Sequence, residues 1–155
     1  MATDVTQATE ATEEKHEAEG TKEALWLERV GKGSYVAHNS KGASVPVGHA
    51  EGEFSPGELL QVALAGCNAT SSDARYSAAL GDDYKAMVGV EGEWDKETNR
   101  YLNMVIEIVT DMSGLSDEER EKLETRVRRS IDRHCTVGHT LNAGMPNDLI
   151  LTSEG

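Results

Sequence analysis

The chain has 155 residues, a formal charge of −13 at neutral pH and only 5% aromatic residues. That length fits one domain with a sizeable core. The acidic balance argues against nucleic acid and anionic membrane as partners, since both need basic surface, and few rings are available to stack on bases.

The first twenty residues hold six acids (Asp4, Glu10, Glu13, Glu14, Glu17, Glu19) against one base, Lys15, and no large apolar residue beyond Met1 and Val5. Such a segment cannot offset its ordering entropy, so residues 1–22 read as a disordered acidic tail and 23–155 as the folded domain. The N-terminus lacks a basic-then-apolar secretion signal and no apolar run has spanning length, so a cytoplasmic protein is expected. In that compartment thiols stay reduced, which disfavours a permanent disulfide and leaves a transient one open.

Residues 24–47 carry strand patterning. Ala24–Val30, Tyr35–His38 and Ser44–Val47 are short β-like runs, separated by Gly31-Lys32-Gly33 and Asn39-Ser40-Lys41-Gly42. Pro46 restricts the third run to an edge or a strand end. Ser55 then opens a long helix with Pro56 at its first position and Glu58 completing a capping box. The helix runs through Leu59, Leu60, Val62, Leu64 and Cys67 to Leu80, with Gly81 as its stop. It is apolar on nearly every side, which predicts enclosure by other elements.

Tyr84–Trp94 and Tyr101–Thr110 alternate as two strands joined by the turn Asp95–Asn99. Ser116 and Glu119 form a second capping box, and Leu123, Val127, Ile131 and Cys135 recur at four-residue spacing as one apolar stripe. Acids crowd the start of this helix, and Arg126, Arg128, Arg129 and Arg133 its end, matching the helix dipole. Asp148–Thr152 reads as a last strand. The expected fold is therefore α+β, in the order β-β-β-α-β-β-α-β around a buried central helix. Two helices cannot cover such a core from both sides, so an intertwined homodimer is expected.

The chemistry rests on two cysteines. Cys67 lies in the apolar helix, where a thiol can be an inert small hydrophobe or a nucleophile. Cys135 opens Cys135-Thr136-Val137-Gly138-His139-Thr140-Leu141. Cys135, His134 and His139 could bind a metal only as part of a larger ligand set, and no second cluster exists, so no metal and no cofactor are expected. Arg75 and Asp73, further along the helix from Cys67, read as surface groups.

Ser-Pro-Gly-Glu-Leu-Leu…Ala-Gly-Cys on one helix, followed by Cys-Thr-Val-Gly-His-Thr-Leu after another, resembles the OsmC/Ohr family of thiol-dependent hydroperoxide reductases. The resemblance spans about Leu25 to Thr152. It implies an obligate dimer with sites at the subunit interface, Cys67 as the peroxidatic thiol and Cys135 as the resolving thiol. It also implies an organic hydroperoxide as substrate and a dithiol as reductant. The characterised reductases carry a Glu directly after the helix-opening Pro and an Arg upstream. This chain has Gly57 at the first position and no Arg in Pro46–Glu51. Glu58 and His49 are the candidate polar supports in their place, set against bland readings as a capping carboxylate and an exposed loop histidine. Two alternatives remain: a non-catalytic protein of this fold binding a hydrophobic small molecule at its dimer interface, and a redox-sensing thiol pair.

Overall fold

The computed structural model of the protein describes residues 24–155; the acidic tail falls outside them. The chain runs β1 (Leu25–Gly31), β2 (Ser34–Asn39), β3 (Ser44–Val47), α1 (Pro56–Leu80), β4 (Ala86–Asp95), β5 (Arg100–Thr110), α2 (Asp117–His134) and α3 (Thr136–Ala143). The α+β class and the first seven elements agree with the sequence reading.

The eighth element differs. Asp148–Thr152 forms no strand, and residues 144–155 carry no regular structure. Leu149, Ile150 and Leu151 are 83–87% exposed. The segment pairs with no strand of its own chain, and strand propensity without a pairing partner and a packed face is too weak to fix a strand. A helix, α3, stands where a connection was expected. Cys135 caps its start, and Gly144 at φ 74° stops it in the left-handed conformation a glycine tolerates.

Strands β1, β2 and β3 form an antiparallel sheet in that order, with Leu27, Ala37 and Val45 aligned across it. On its other face Trp26 stacks on His38 at 5.3 Å, and His38 Nε2 lies 3.4 Å from Glu28 Oε2. Pro46 sits on the edge strand, as its missing N–H requires. This sheet has little packing against the rest of its own chain. Leu25 and Leu27 consequently remain exposed.

Helix α1 begins with the predicted capping box: Glu58 N–H donates to Ser55 Oγ at 3.1 Å, and Ser55 N–H to Glu58 Oε2 at 2.8 Å. One side of α1 packs on the β4–β5 hairpin and another on α2. Ser72 and Ser130 let the helices approach closely, and Ser130 Oγ donates to the Ser71 carbonyl at 2.6 Å. Tyr76, Leu123 and Val127 form the buried centre, with Ile108, Leu115 and Ile131 against it. Within one chain, however, the helix is not enclosed. Only Leu64, Ala65, Ser72 and Tyr76 are buried along it, and Val62, Ala63, Gly66 and Thr70 are exposed.

The β4–β5 pairing slips by one residue between Glu93 and Trp94, leaving Leu102 without a partner. The extra residue turns Tyr101 inward beside Met104. Tyr101 then covers Gly92 and reaches α1, where Gln61 Nε2 donates to its hydroxyl at 3.2 Å.

Candidate active site

The two cysteines come from different elements and meet where α1, α2 and α3 converge. Cys67 stands mid-way along α1, half-buried, and Cys135 is the buried junction between α2 and α3. Both thiols are free, and each is among the groups that shift the acidity of the other. The apolar stripe on α2 is what delivers Cys135: Leu123, Val127 and Cys135 are all buried along it. The Cys135 N–H closes the helix on the Ile131 carbonyl at 2.9 Å.

The environment splits the pair. At Cys67 burial opposes the charged form, but the Val137 N–H, the Cys135 thiol, the Ser71 hydroxyl and the Thr136 N–H outweigh it and lower the pKa. Two of these donors are unpaired amides of the first turn of α3, where the helix dipole also favours negative charge. At Cys135 burial dominates. The Gly138 N–H works against it, while Cys67 adds to it, and the pKa is raised. Of the two sulfurs, Cys67 is therefore the one that gives up its proton more readily.

Cys135 Sγ accepts from the Gly138 N–H at 3.3 Å and from Asn68 Nδ2 at 3.6 Å. Asn68 is itself anchored to the Leu64 carbonyl at 3.0 Å. Gly138 leaves the sulfur room, since a Cβ there would stand 3.2 Å from it. Beside Cys135 opens a cleft of about 700 Å³ between α1, β5 and α3. Its walls include Leu64, Asn68, Arg100, Tyr101 and His139. His139 Nε2 is engaged by the Asp132 carbonyl at 2.6 Å. Among the described residues no group of three or more His, Cys, Asp or Glu is placed to hold a metal ion.

None of the other sequence candidates is among the groups that act on either sulfur. Glu58 is held in the cap of α1. His49 sits in the exposed turn after β3, where Glu53 accepts the Ala50 N–H at 3.0 Å. Neither is among the groups that set the acidity of Cys67. Asp73 accepts from Tyr84 Oη at 2.6 Å, and Arg75 is exposed. Sequence reasoning missed Asn68, Ser71, Gly138 and the amides of α3. Val137 and Leu141, one helical turn apart and followed by Gly144, were the available signal for that helix.

Gly57 has a structural reason. A Cβ there would stand 3.3 Å from two ring carbons of Tyr101 and would collide with its hydroxyl. The tyrosine fills the space a side chain after Pro56 would need.

Among the described residues no helix is long and apolar enough to cross a membrane. Residues 48–149 match the OsmC-like protein family. An uncharacterized protein of Mycobacterium tuberculosis is 40% identical over 133 residues, covering 84% of this chain and 97% of that protein, and one of Mycobacterium bovis matches equally well. Among solved structures, a hypothetical protein from Aquifex aeolicus superposes with a TM-score of 0.62 at 18% identity, over 78% of this chain and 87% of that one. An OsmC-like protein from Mycoplasma pneumoniae does so with a TM-score of 0.58 at 15% identity, over 78% and 87%. The likeness to these structures concerns the fold, while the family match spans both cysteines; the chain belongs to the OsmC-like family.

Proposed function

We propose that the protein reduces organic hydroperoxides, working as a homodimer. The Cys67 thiolate attacks the O–O bond; the alkoxide leaves and is protonated to the alcohol, and Cys67 becomes a sulfenic acid. The Cys135 thiol then displaces the hydroxyl as water, forming a Cys67–Cys135 disulfide, which a dithiol reductant reopens. The observation that carries this reading is the convergence of two free cysteines, Cys67 on α1 and Cys135 at the α2–α3 junction, where Asn68 beside Cys67 reaches the Cys135 sulfur; the lowered pKa of Cys67 and the raised one of Cys135 agree with their roles.

Two features support the dimer. The apolar face of the β1–β3 sheet has little to cover it within one chain. Ala63, Thr70 and Ala74 also lie exposed on the stripe of α1 that carries Cys67. A second copy seated there gives the thiolate a dry, apolar approach suited to an alkyl peroxide. The test is consumption of cumene hydroperoxide with a dithiol donor, alongside size determination in solution. Turnover lost on Cys67→Ser supports the proposal. Turnover that survives Cys67→Ser, or none above buffer in the unaltered protein, refutes it.

A further inference from the structure

We infer that the cleft between α1, β5 and α3 admits the reductant, a small dithiol, and that this dithiol attacks the Cys135 sulfur of the disulfide. The inference rests on the disulfide cycle proposed above and adds the direction of its reductive half.

The argument begins with what the cleft touches. Cys135 is part of its wall and Cys67 is not. Cys67 lies instead on the neighbouring stripe of α1 with Ala63 and Thr70, which are open to the outside of the chain. The two sulfurs thus have separate approaches, one for each half of the cycle. At 3% exposure Cys135 is otherwise enclosed, so a thiol that reaches it comes through this cleft. The missing side chain at Gly138 keeps the sulfur uncrowded, since even a methyl group would stand 3.2 Å from Sγ and 3.8 Å from Leu64 Cδ1. The walls suit a flexible, partly polar arm: Leu60, Leu64 and Leu141 are apolar, while Asn103, Asn142 and Arg100 offer hydrogen bonds and a positive charge.

The exchange chemistry favours the same direction. Thiol–disulfide exchange is faster when the sulfur expelled is the more acidic one. Attack at Cys135 expels Cys67, whose charge the Val137 and Thr136 amides and the Ser71 hydroxyl support. A donor thiolate forms a bond to Cys135 Sγ as the bond to Cys67 Sγ breaks, and the electron pair leaves on Cys67. The donor's second thiol, deprotonated, then attacks its own sulfur in this mixed disulfide. It closes a cyclic disulfide and releases Cys135, which takes up a proton. The dithiol is oxidised by two electrons, the protein disulfide is reduced, and Cys67 is again the thiolate that meets peroxide.

The test forms the protein disulfide with diamide, without peroxide, and treats it briefly with a limiting amount of a monothiol, 2-mercaptoethanol, which cannot complete the second step within one molecule. After acid quenching, peptide mass mapping locates the adduct. An adduct on Cys135 is expected; an adduct on Cys67 overturns the direction while leaving the peroxidase reading intact. If diamide yields no Cys67–Cys135 disulfide, both fall. Asn142→Trp, which fills the cleft, provides a second readout through the ratio of the half-reactions. Reduction of the disulfide by dithiothreitol should slow at least about tenfold relative to oxidation of Cys67 by peroxide. An unchanged ratio overturns the assignment of the cleft.

Discussion

Replacing Gly57 by alanine tests how Tyr101 is held. In an exposed first turn of a helix the change would normally stabilise by about 0.5–1 kcal/mol, because glycine loses more backbone freedom on folding. Here the new methyl group meets the Tyr101 hydroxyl and lies 3.3 Å from Cε2 and Cζ. The ring cannot swing aside freely. Its other edge lies so close to Gly92 that a Cβ there would be 2.7 Å from Cδ1, and Gln61 holds its hydroxyl. Overpacking of this kind costs about 1–3 kcal/mol, so the net effect is a loss of about 1 kcal/mol. Tyr101→Phe alone gives up one partly buried hydrogen bond, about 1 kcal/mol. In the Phe background, with the hydroxyl gone, Gly57→Ala should be neutral or stabilising. The cycle then yields a coupling of about 1–2 kcal/mol. Urea unfolding followed by circular dichroism, at one fixed protein concentration, reads all four variants. A midpoint that rises on Gly57→Ala with Tyr101 in place would refute the packing argument.

Two further outcomes follow from the titrating groups. Cys67 should alkylate with iodoacetamide at lower pH than an ordinary thiol and Cys135 only at higher pH; the opposite order, mapped by mass spectrometry, would remove the basis for assigning their roles. Tyr84, with its pKa raised to about 12 by burial and by Asp73, should be the last tyrosine to ionise in an absorbance titration, and Tyr84→Phe should delete that step. Because the folded value lies above the unfolded one of about 10, this tyrosine's contribution to stability is complete below pH 10 and fades as the pH climbs through 12.

What the sequence disclosed, and what it hid, follows from the range of the interactions. Both capping boxes, the stop at Gly81, the Asp95–Asn99 turn and the α2 stripe are written in neighbouring residues, and the structure contains each of them. The pairing of Cys67 with Cys135 came from a resemblance, since sixty-eight positions separate them and no local pattern joins them. Helix α3 escaped notice because Thr136, Gly138 and Asn142 are weak helix formers and its start is fixed by a sulfur cap. The acidity of Cys67 escaped with it, because its largest donor is the backbone amide of Val137, a group that every residue but proline has and no motif marks. The placement of Tyr101 depends on a slip in the β4–β5 register, which strand alternation cannot reveal.

Cys135 belongs to two helices at once: its amide completes the final turn of α2, while its sulfur receives the Gly138 N–H at the opening of α3. Whatever bonds to that one atom changes the acceptor on which the next eight residues are anchored. Redox chemistry and backbone order thus share a single joint, and a circular-dichroism signal from the Thr136–Ala143 segment would report the state of the sulfur.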